Sequence, residues 1–114
     1  MDDRELLERA AKAAGLPVQW VPYRCVLVRL DRSEYVSGEA RYPSWNPLAD
    51  DGDALRLAVS LGLVVDCSRP SAGPPFCSHL HAEIGIEDWN AATRRAIVRA
   101  AAEIGRAARN GDAP

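Results

Sequence analysis

The feature that most limits the fold of this chain is an alanine-rich segment near its C-terminus. Between Asp88 and Arg109, small and apolar residues recur at the three-to-four spacing of one helical face. They are Ala92, Ala96, Ile97, Ala100, Ala101, Ile104 and Ala108. Small side chains allow a helix backbone to lie close to its neighbours. The pattern therefore predicts a long last helix, capped by Asp88 or Asn90, that packs tightly on the rest of the protein.

Two more helices are predicted upstream of this segment. The first covers residues 2–14 and ends at Gly15. The second begins near Asp50, which is placed to cap its first turn, with Asp53 three residues on as in a capping box. The inner stripe of the second helix is predicted to contain Leu55, Ala58 and Val59, widened by Leu57 and Leu61.

Strands are predicted between the helices by β-branched and aromatic residues. The predicted strands are 18–30, as two short strands or one edge strand broken at Pro22, then 34–37, 63–66 and 76–86. Residues 24–37 are predicted to form a hairpin, whereas 38–49 are predicted to be mostly loop and 68–75 irregular. The order helix, strands, helix, strands, helix predicts an α+β fold, in which helices pack on a small antiparallel sheet.

Length and charge limit the possible classes of protein. A chain of 114 residues is predicted to form a single domain, 1–114, with a frayed tail at 110–114. The formal net charge of −2 argues against a dedicated nucleic-acid binder with a basic field over its whole surface. An acidic N-terminus and the lack of a long apolar run predict a cytoplasmic protein without a membrane partner.

No motif in the sequence predicts a catalytic centre. Cys77, His79 and His81 would project from one strand at intervals of about 7 Å, too far apart to converge on one metal ion. Helix capping explains the acidic residues at 50–53, and no nucleophile elbow, phosphate loop or metalloprotease motif occurs. We therefore predict no enzymatic activity, no bound metal and no cofactor.

Arginines of the last helix are the main candidates for binding a partner. They are Arg94, Arg95, Arg99 and Arg106. Arg95, Arg99 and Arg106 fall on one exposed stripe, with Glu103 as the one acid facing it. Ordinary solvation of a helix explains them, and so does an anionic partner such as a nucleotide, a nucleic acid or an acidic protein surface. Further arginines would join this surface if the fold brings them near, namely Arg24, Arg29, Arg41 and Arg69.

Aromatic residues near predicted element boundaries are the second group of candidates. Trp45 and Trp89 are chosen as binding residues, and Tyr23 and Tyr42 share the boundary regions with Trp20. An aromatic ring beside an arginine is the composition of a base-stacking pocket. Small domains also use such rings to close the ends of their cores.

Two stretches of the chain resemble a known family. They are WNPLADDGDALRLAV at 45–59 and NAATRRAIVRAA at 90–101. Both are similar to segments of the phage ABA sandwich domain proteins, which are small proteins of bacteriophages and prophages. The resemblance covers about residues 5–108. It implies a sheet layered between helices and a phage accessory protein that works inside a bacterium, and it implies no particular activity.

The leading functional prediction is a non-catalytic bacteriophage protein that binds a host defence component stoichiometrically. Two forms of this prediction stay open, an inhibitor of a host defence protein such as an anti-CRISPR and a sponge for a nucleotide signal. The alternative is a nucleic-acid-associated accessory factor that uses the arginine-rich last helix. A half-polar face on the strand predicted at 76–86 also predicts a homodimer.

Overall fold

The longest helix among the described residues contacts the two other described helices and one of the sheets. The computed structural model describes residues 2–74, 81–82 and 88–107. Their elements are α1 (Asp3–Ala14), β1 (Val18–Val21), β2 (Val26–Arg29), β3 (Glu34–Val36), β4 (Glu39–Arg41), β5 (Ser44–Trp45), α2 (Asp51–Leu61), β6 (Val64–Asp66), β7 (Ser71–Gly73), β8 (His81–Ala82) and α3 (Trp89–Ala107). Helix α3 contacts α1, α2 and the sheet β6-β7-β8. The predicted α+β class is confirmed, with the antiparallel strands divided among three small sheets.

An aspartate side chain begins each of the three helices. Asp2, Asp50 and Asp88 each accept a hydrogen bond of 2.8–2.9 Å from a backbone N–H two or three residues further on. This contact satisfies a donor that has no partner within the helix. Helices α1 and α2 end at Gly15 and Gly62, both with left-handed backbone. The predicted helix starts and the ends of α1 and α2 are confirmed.

Two details of the α2 prediction are wrong. The Asp53 carboxylate accepts from the Asn46 N–H at 3.0 Å and does not complete a capping box, because the Asp50 N–H already donates to the Asn46 carbonyl. The predicted inner residues Leu55 and Val59 are largely exposed, whereas Leu57 and Ala58 are buried as predicted, together with Ala54. Apolar residues surround most of this helix, so the contacts made by the rest of the fold select which of them are buried.

Helices α1 and α3 lie against each other through residues with small or no side chains. Ala10, Ala11 and Ala101 are buried at this contact. Gly105 marks the closest approach, because a Cβ atom built there would overlap the Arg9 carbonyl oxygen and lie 3.0 Å from the carbonyl carbon. The alanine-rich pattern predicted close packing of α3, and Gly105 extends that packing towards the end of the helix.

The strands pair mostly with their nearest neighbours in sequence. β2 lies between β1 and β5, and β3 pairs with β4, so the predicted hairpin over 24–37 is wrong. Pro22 begins a tight turn between β1 and β2. Of the two alternatives predicted for 18–30, the one with two short strands is therefore confirmed. Residues 38–49 were expected to be mostly loop, yet they contain β4 and β5, because each of these short strands finds a partner formed earlier in the chain.

The third sheet lies under α3. Its strands β6 and β8 flank β7, whose residues Ser71, Ala72 and Gly73 are all buried. The prediction of irregular structure over 68–75 is therefore wrong for 71–73, because small side chains allow this strand to pack beneath the helix. Of the strand predicted at 76–86, only β8 belongs to the described residues. The tail at 110–114 also lies outside them.

Substitution Gly105→Ala is expected to lower the free energy of unfolding by about 1–3 kcal/mol, because the new methyl group forces α1 and α3 apart. Urea denaturation followed by circular dichroism measures this change. Gly52→Ala in α2 is the matched control. Its Cβ atom would meet chiefly the movable guanidinium of Arg56, so it is expected to be neutral or to stabilise by up to about 1 kcal/mol. A Gly105→Ala protein as stable as the wild type would contradict this account of the helix contact.

Candidate functional site

The two faces of the sheet β1-β2-β5 have different surroundings. Trp20, Leu27 and Trp45 are neighbours across the three strands and therefore share a face. Leu27 and Trp45 belong to the main core, and Trp20 packs against it. The other face carries Val28 with its cross-strand partner Ser44. Val28 is only 4% exposed, yet it does not belong to the main core cluster, so this face is separate from the core and can line a site.

A cleft of about 810 Å³ lies over that second face. Val21, Val28 and Ser44 come from the sheet and form its floor. The remaining lining residues come from the β1–β2 turn and from the segment 34–43, namely Tyr23, Arg24, Glu34, Glu39, Ala40, Arg41, Tyr42 and Pro43. The β3–β4 hairpin thus forms a wall beside the sheet, and the volume lies within the range of about 300–1,000 Å³ usual for ligand sites.

Two tight turns set the positions of the cleft residues. Between β1 and β2, the Cys25 N–H donates to the Pro22 carbonyl at 3.2 Å, and Cys25 has a left-handed φ of 52°. This conformation is uncommon for a residue other than glycine. Between β3 and β4, Ser37 and Gly38 have φ values of 54° and 81°. Positive φ at both positions is characteristic of a two-residue hairpin turn that matches the twist of the strands.

The two arginines of the cleft are available to a ligand. Neither Arg24 nor Arg41 makes a side-chain hydrogen bond or an ion pair with any described residue. Glu34 is the cross-strand partner of Arg41, yet no ion pair joins them. Glu39 lines the same cleft, so the lining contains two cationic and two anionic side chains.

Arg29 shows the contrasting arrangement on the same sheet. Its guanidinium donates to both carboxylate oxygens of Asp31, at 3.1 and 2.7 Å. These hydrogen bonds lower the pKa of Asp31 and raise the pKa of Arg29, because each charged group stabilises the other. Arg29 is therefore already neutralised within the chain, unlike Arg24 and Arg41.

Tyrosine rings accompany both of the available arginines. Tyr23 precedes Arg24 and is 88% exposed, and Tyr42 follows Arg41 and is 40% exposed. Both tyrosines line the cleft. The site therefore combines aromatic faces with guanidinium groups, which is the composition that the sequence associated with base stacking.

The predicted arginine stripe of the last helix is largely neutralised by acids of the same chain. Arg94 donates to the Leu48 carbonyl at 2.9 Å and to the Asp51 carboxylate at 2.6 Å. Arg95 pairs with Asp3, and Arg106 with Glu103. The prediction that Glu103 alone answers these arginines is wrong, because the fold brings the starts of α1 and α2 beside α3. Arg99 lies exposed on the same helix.

The two tryptophans predicted to bind a partner occupy different environments. Trp45 is 2% exposed and packs in the core beside Leu27, so its selection as a surface binding residue is corrected. Trp89 is 55% exposed at the start of α3. It lines a groove of about 350 Å³ together with Leu55 and Arg94. Trp89 and Arg94 are the two predicted site residues that the fold brings together.

The cleft residues were only partly identified from the sequence. Arg24, Arg41, Tyr23 and Tyr42 entered as additions to the predicted surface, and Glu34 and Glu39 did not enter at all. These residues lie in or beside two successive hairpins, β1–β2 and β3–β4. Their proximity can be recognised only when the pairing of these strands is known. The predicted hairpin over 24–37 placed these residues in a different arrangement.

Several predictions fall partly or wholly outside the described residues. Cys77 and His79 are outside them, and so is most of the strand on which the predicted homodimer rests, so the dimer stays a prediction. Within 2–74, 81–82 and 88–107, no group of three or more His, Cys, Asp and Glu residues could hold a metal ion. No helix in those ranges is long and apolar enough to cross a membrane.

Comparison with family models, with curated proteins and with solved structures finds no match to this chain. The resemblance to the phage ABA sandwich proteins therefore stays a prediction. What the fold and the site define is an α+β chain with an open cleft, in which two arginines and two tyrosines are accessible to a ligand.

Arg94→Ala is expected to lower the free energy of unfolding by about 1–2 kcal/mol, because it removes the charged donor that joins α3 to the Leu48 carbonyl just before α2 and to the Asp51 carboxylate at the start of α2. Arg106→Ala is the matched control, since its pair with Glu103 lies within one helix and is half exposed, and it is expected to cost less than about 0.5 kcal/mol. Chemical denaturation of both variants provides the measurement. Equal losses would show that Arg94 does not hold the two helices together.

Proposed function

We propose that this protein acts by stoichiometric, non-catalytic binding of a ligand in the cleft between the sheet β1-β2-β5 and the β3–β4 hairpin. One observation carries the proposal. Arg24 and Arg41 line a single cleft without an ion-pair partner among the described residues, and each is next to a cleft-lining tyrosine. A binding site of this kind holds its ligand through charge and through ring contacts.

The electrostatics of the cleft support binding of an anion. An arginine that already forms a salt bridge must exchange one anion for another, and little free energy is gained in that exchange. Within the part of the chain that the structure describes, Arg24 and Arg41 have no such bridge to break. Arg94, Arg95 and Arg106 of α3 do have one, which favours the cleft over the arginine-rich helix as the binding surface.

The hydrogen bonding of the cleft favours retention of a ligand over its turnover. Activation of a nucleophile requires a base within hydrogen-bond reach of it. Among the described residues, no hydrogen bond joins two side chains of the cleft. The tyrosine, arginine and glutamate side chains are arranged around the open volume, where each one can meet a different part of a ligand.

The biological setting is part of the same proposal. The resemblance of 45–59 and 90–101 to phage ABA sandwich proteins supports a bacteriophage protein acting in the cytoplasm of its host. Its ligand would then be a component or a signal of host defence, removed from action by occupancy of the cleft. Such a role requires protein in amounts comparable to the ligand, because each copy neutralises one ligand.

Native mass spectrometry of the protein purified from phage-infected, defence-bearing cells tests the proposal. We expect one ligand or one partner per chain in the wild type, and its loss in the double variant Arg24→Gln with Arg41→Gln. Removal of both guanidinium groups deletes the attraction for an anion. The released ligand should keep its mass after renewed incubation with fresh protein, because binding leaves it unchanged.

Arg69→Gln with Arg106→Gln is the matched control, since it removes the same charge from exposed positions outside the cleft. This control should retain the ligand. Its expression should also raise the plating efficiency of the phage on the defence-bearing strain, as expression of the wild type does. If the cleft variant retained both properties while its melting temperature stayed unchanged, the cleft would not be the functional site. If the control lost both properties as well, the effect would depend on the total charge of the protein and not on the cleft, which would also contradict the proposal.

A further inference from the structure

We infer that the ligand of this cleft is a small nucleotide, whose phosphate is bound by Arg24 and Arg41 and whose base stacks on a tyrosine. This inference rests on the proposed function, because it names the ligand class of the same site. The argument uses the lining residues in three groups, which are the arginines, the tyrosines and the glutamates.

The arginines reach the cleft from two separate elements. Arg24 belongs to the β1–β2 turn, and Arg41 is the last residue of β4. A phosphate group presents several oxygens in different directions, and a guanidinium fork donates two parallel hydrogen bonds to such a group. Two forks from separate elements that line one cleft are therefore suited to a phosphate, which can accept hydrogen bonds on more than one side.

The tyrosines add a requirement for a flat, aromatic ligand. Each arginine has a tyrosine as its neighbour in sequence, Tyr23 beside Arg24 and Tyr42 beside Arg41, and all four residues line the cleft. Stacking of a base on an aromatic side chain contributes about 1–3 kcal/mol to binding. Inorganic phosphate would use the arginines alone, so the full set of residues is used only by a ligand that contains both a ring and a phosphate.

The glutamates argue against a long nucleic-acid strand. Glu34 and Glu39 place two carboxylates in a cleft that has two guanidinium groups, so the lining is neutral overall. A continuous phosphate backbone needs a continuous row of cations and would be repelled by these carboxylates. A single nucleotide or a dinucleotide avoids this conflict, because its ribose hydroxyl and base amino groups can donate to Glu34 and Glu39.

The neighbouring pocket, between β2, β5 and α2, is a weaker candidate for the same ligand. Its volume is about 440 Å³, and its lining contains Arg29, Arg32 and Arg56. Arg29 is held by Asp31, and Arg56 is held by Asp53 at 2.9 Å. No tyrosine lines this pocket. An anion bound there would compete with acids of the chain and would find no ring of this kind to stack on.

Isothermal titration of the full chain with a defined panel tests the inference. The probes are the four 5′-ribonucleoside monophosphates, a purine cyclic dinucleotide, the matching nucleosides, inorganic pyrophosphate, a single-stranded oligonucleotide and an acidic peptide. At least one nucleotide should bind at a ratio of one per chain. Its nucleoside and pyrophosphate should each bind at least about tenfold more weakly, since each lacks one of the two contacts.

Variants separate the two contacts. Arg41→Gln should weaken nucleotide binding by about tenfold or more and leave nucleoside binding unchanged. Tyr42→Ala should weaken both the nucleotide and the nucleoside, whereas Tyr42→Phe should match the wild type because it keeps the ring. Arg69→Gln outside the cleft serves as the control for loss of one positive charge, and thermal melts confirm that every variant is folded.

Three results would overturn the inference. The first is the absence of binding by every nucleotide of the panel at millimolar concentration. The second is equal nucleotide affinity in the wild type, Arg41→Gln and Tyr42→Ala. The third is preferential binding of a single-stranded oligonucleotide or an acidic peptide at the same residues. Each of these results contradicts the nucleotide as the ligand. If the variant Arg24→Gln with Arg41→Gln still loses its ligand in infected cells, the proposed stoichiometric binding in the cleft remains supported, with a ligand of another class. Conversely, the chain could bind a nucleotide in the titration while the cleft variant still protects the phage in infected cells. That result would support the nucleotide site and contradict the proposed function.

Discussion

The close contact between α1 and α3 is the constraint on which the rest of the structure depends. At Gly105 the two helix backbones approach so closely that no side chain fits between them, and buried alanines extend the contact along both helices. Packing at this distance brings many atoms into van der Waals contact without long side chains. Because α3 is fixed in this way, its remaining sides provide a firm surface on which α2 and the sheet β6-β7-β8 can pack.

The cleft follows from the way in which the first sheet joins this assembly. Trp45 and Leu27 fill the inner face and tie β2 and β5 to the core, and the cleft lies over the outer face of the same strands. The β3–β4 hairpin approaches that face with side chains that are exposed wherever they are described. Polar and charged residues can therefore line the cleft without the loss of solvation that a core position would impose.

Local signals were sufficient to predict the helices, and they were insufficient for the sheets and the site. Asp50 caps α2 as predicted, and Asp88, one of the two predicted candidates, caps α3, because capping involves residues that are close together in the chain. Strand partners are chosen by tertiary contacts, so the hairpin assigned to 24–37 was wrong and the strand at 71–73 was missed. The ion pairs of Arg94 and Arg95 also join residues far apart in sequence. No local pattern could reveal that these two arginines were already neutralised, or that Arg24 and Arg41 were not.

Every described residue that lines the cleft lies within Val21–Ser44, whereas the three described helices lie outside that stretch. The contact between the helices and the lining of the cleft therefore come from different parts of the chain, and Leu27 is the residue of the stretch that belongs to the main core. Mutations in one continuous segment can change ligand preference while Gly105 and the alanines of the helix contact stay as they are. An exchange of this one segment therefore alters the lining of the cleft and leaves the residues of the contact between α1 and α3 in place.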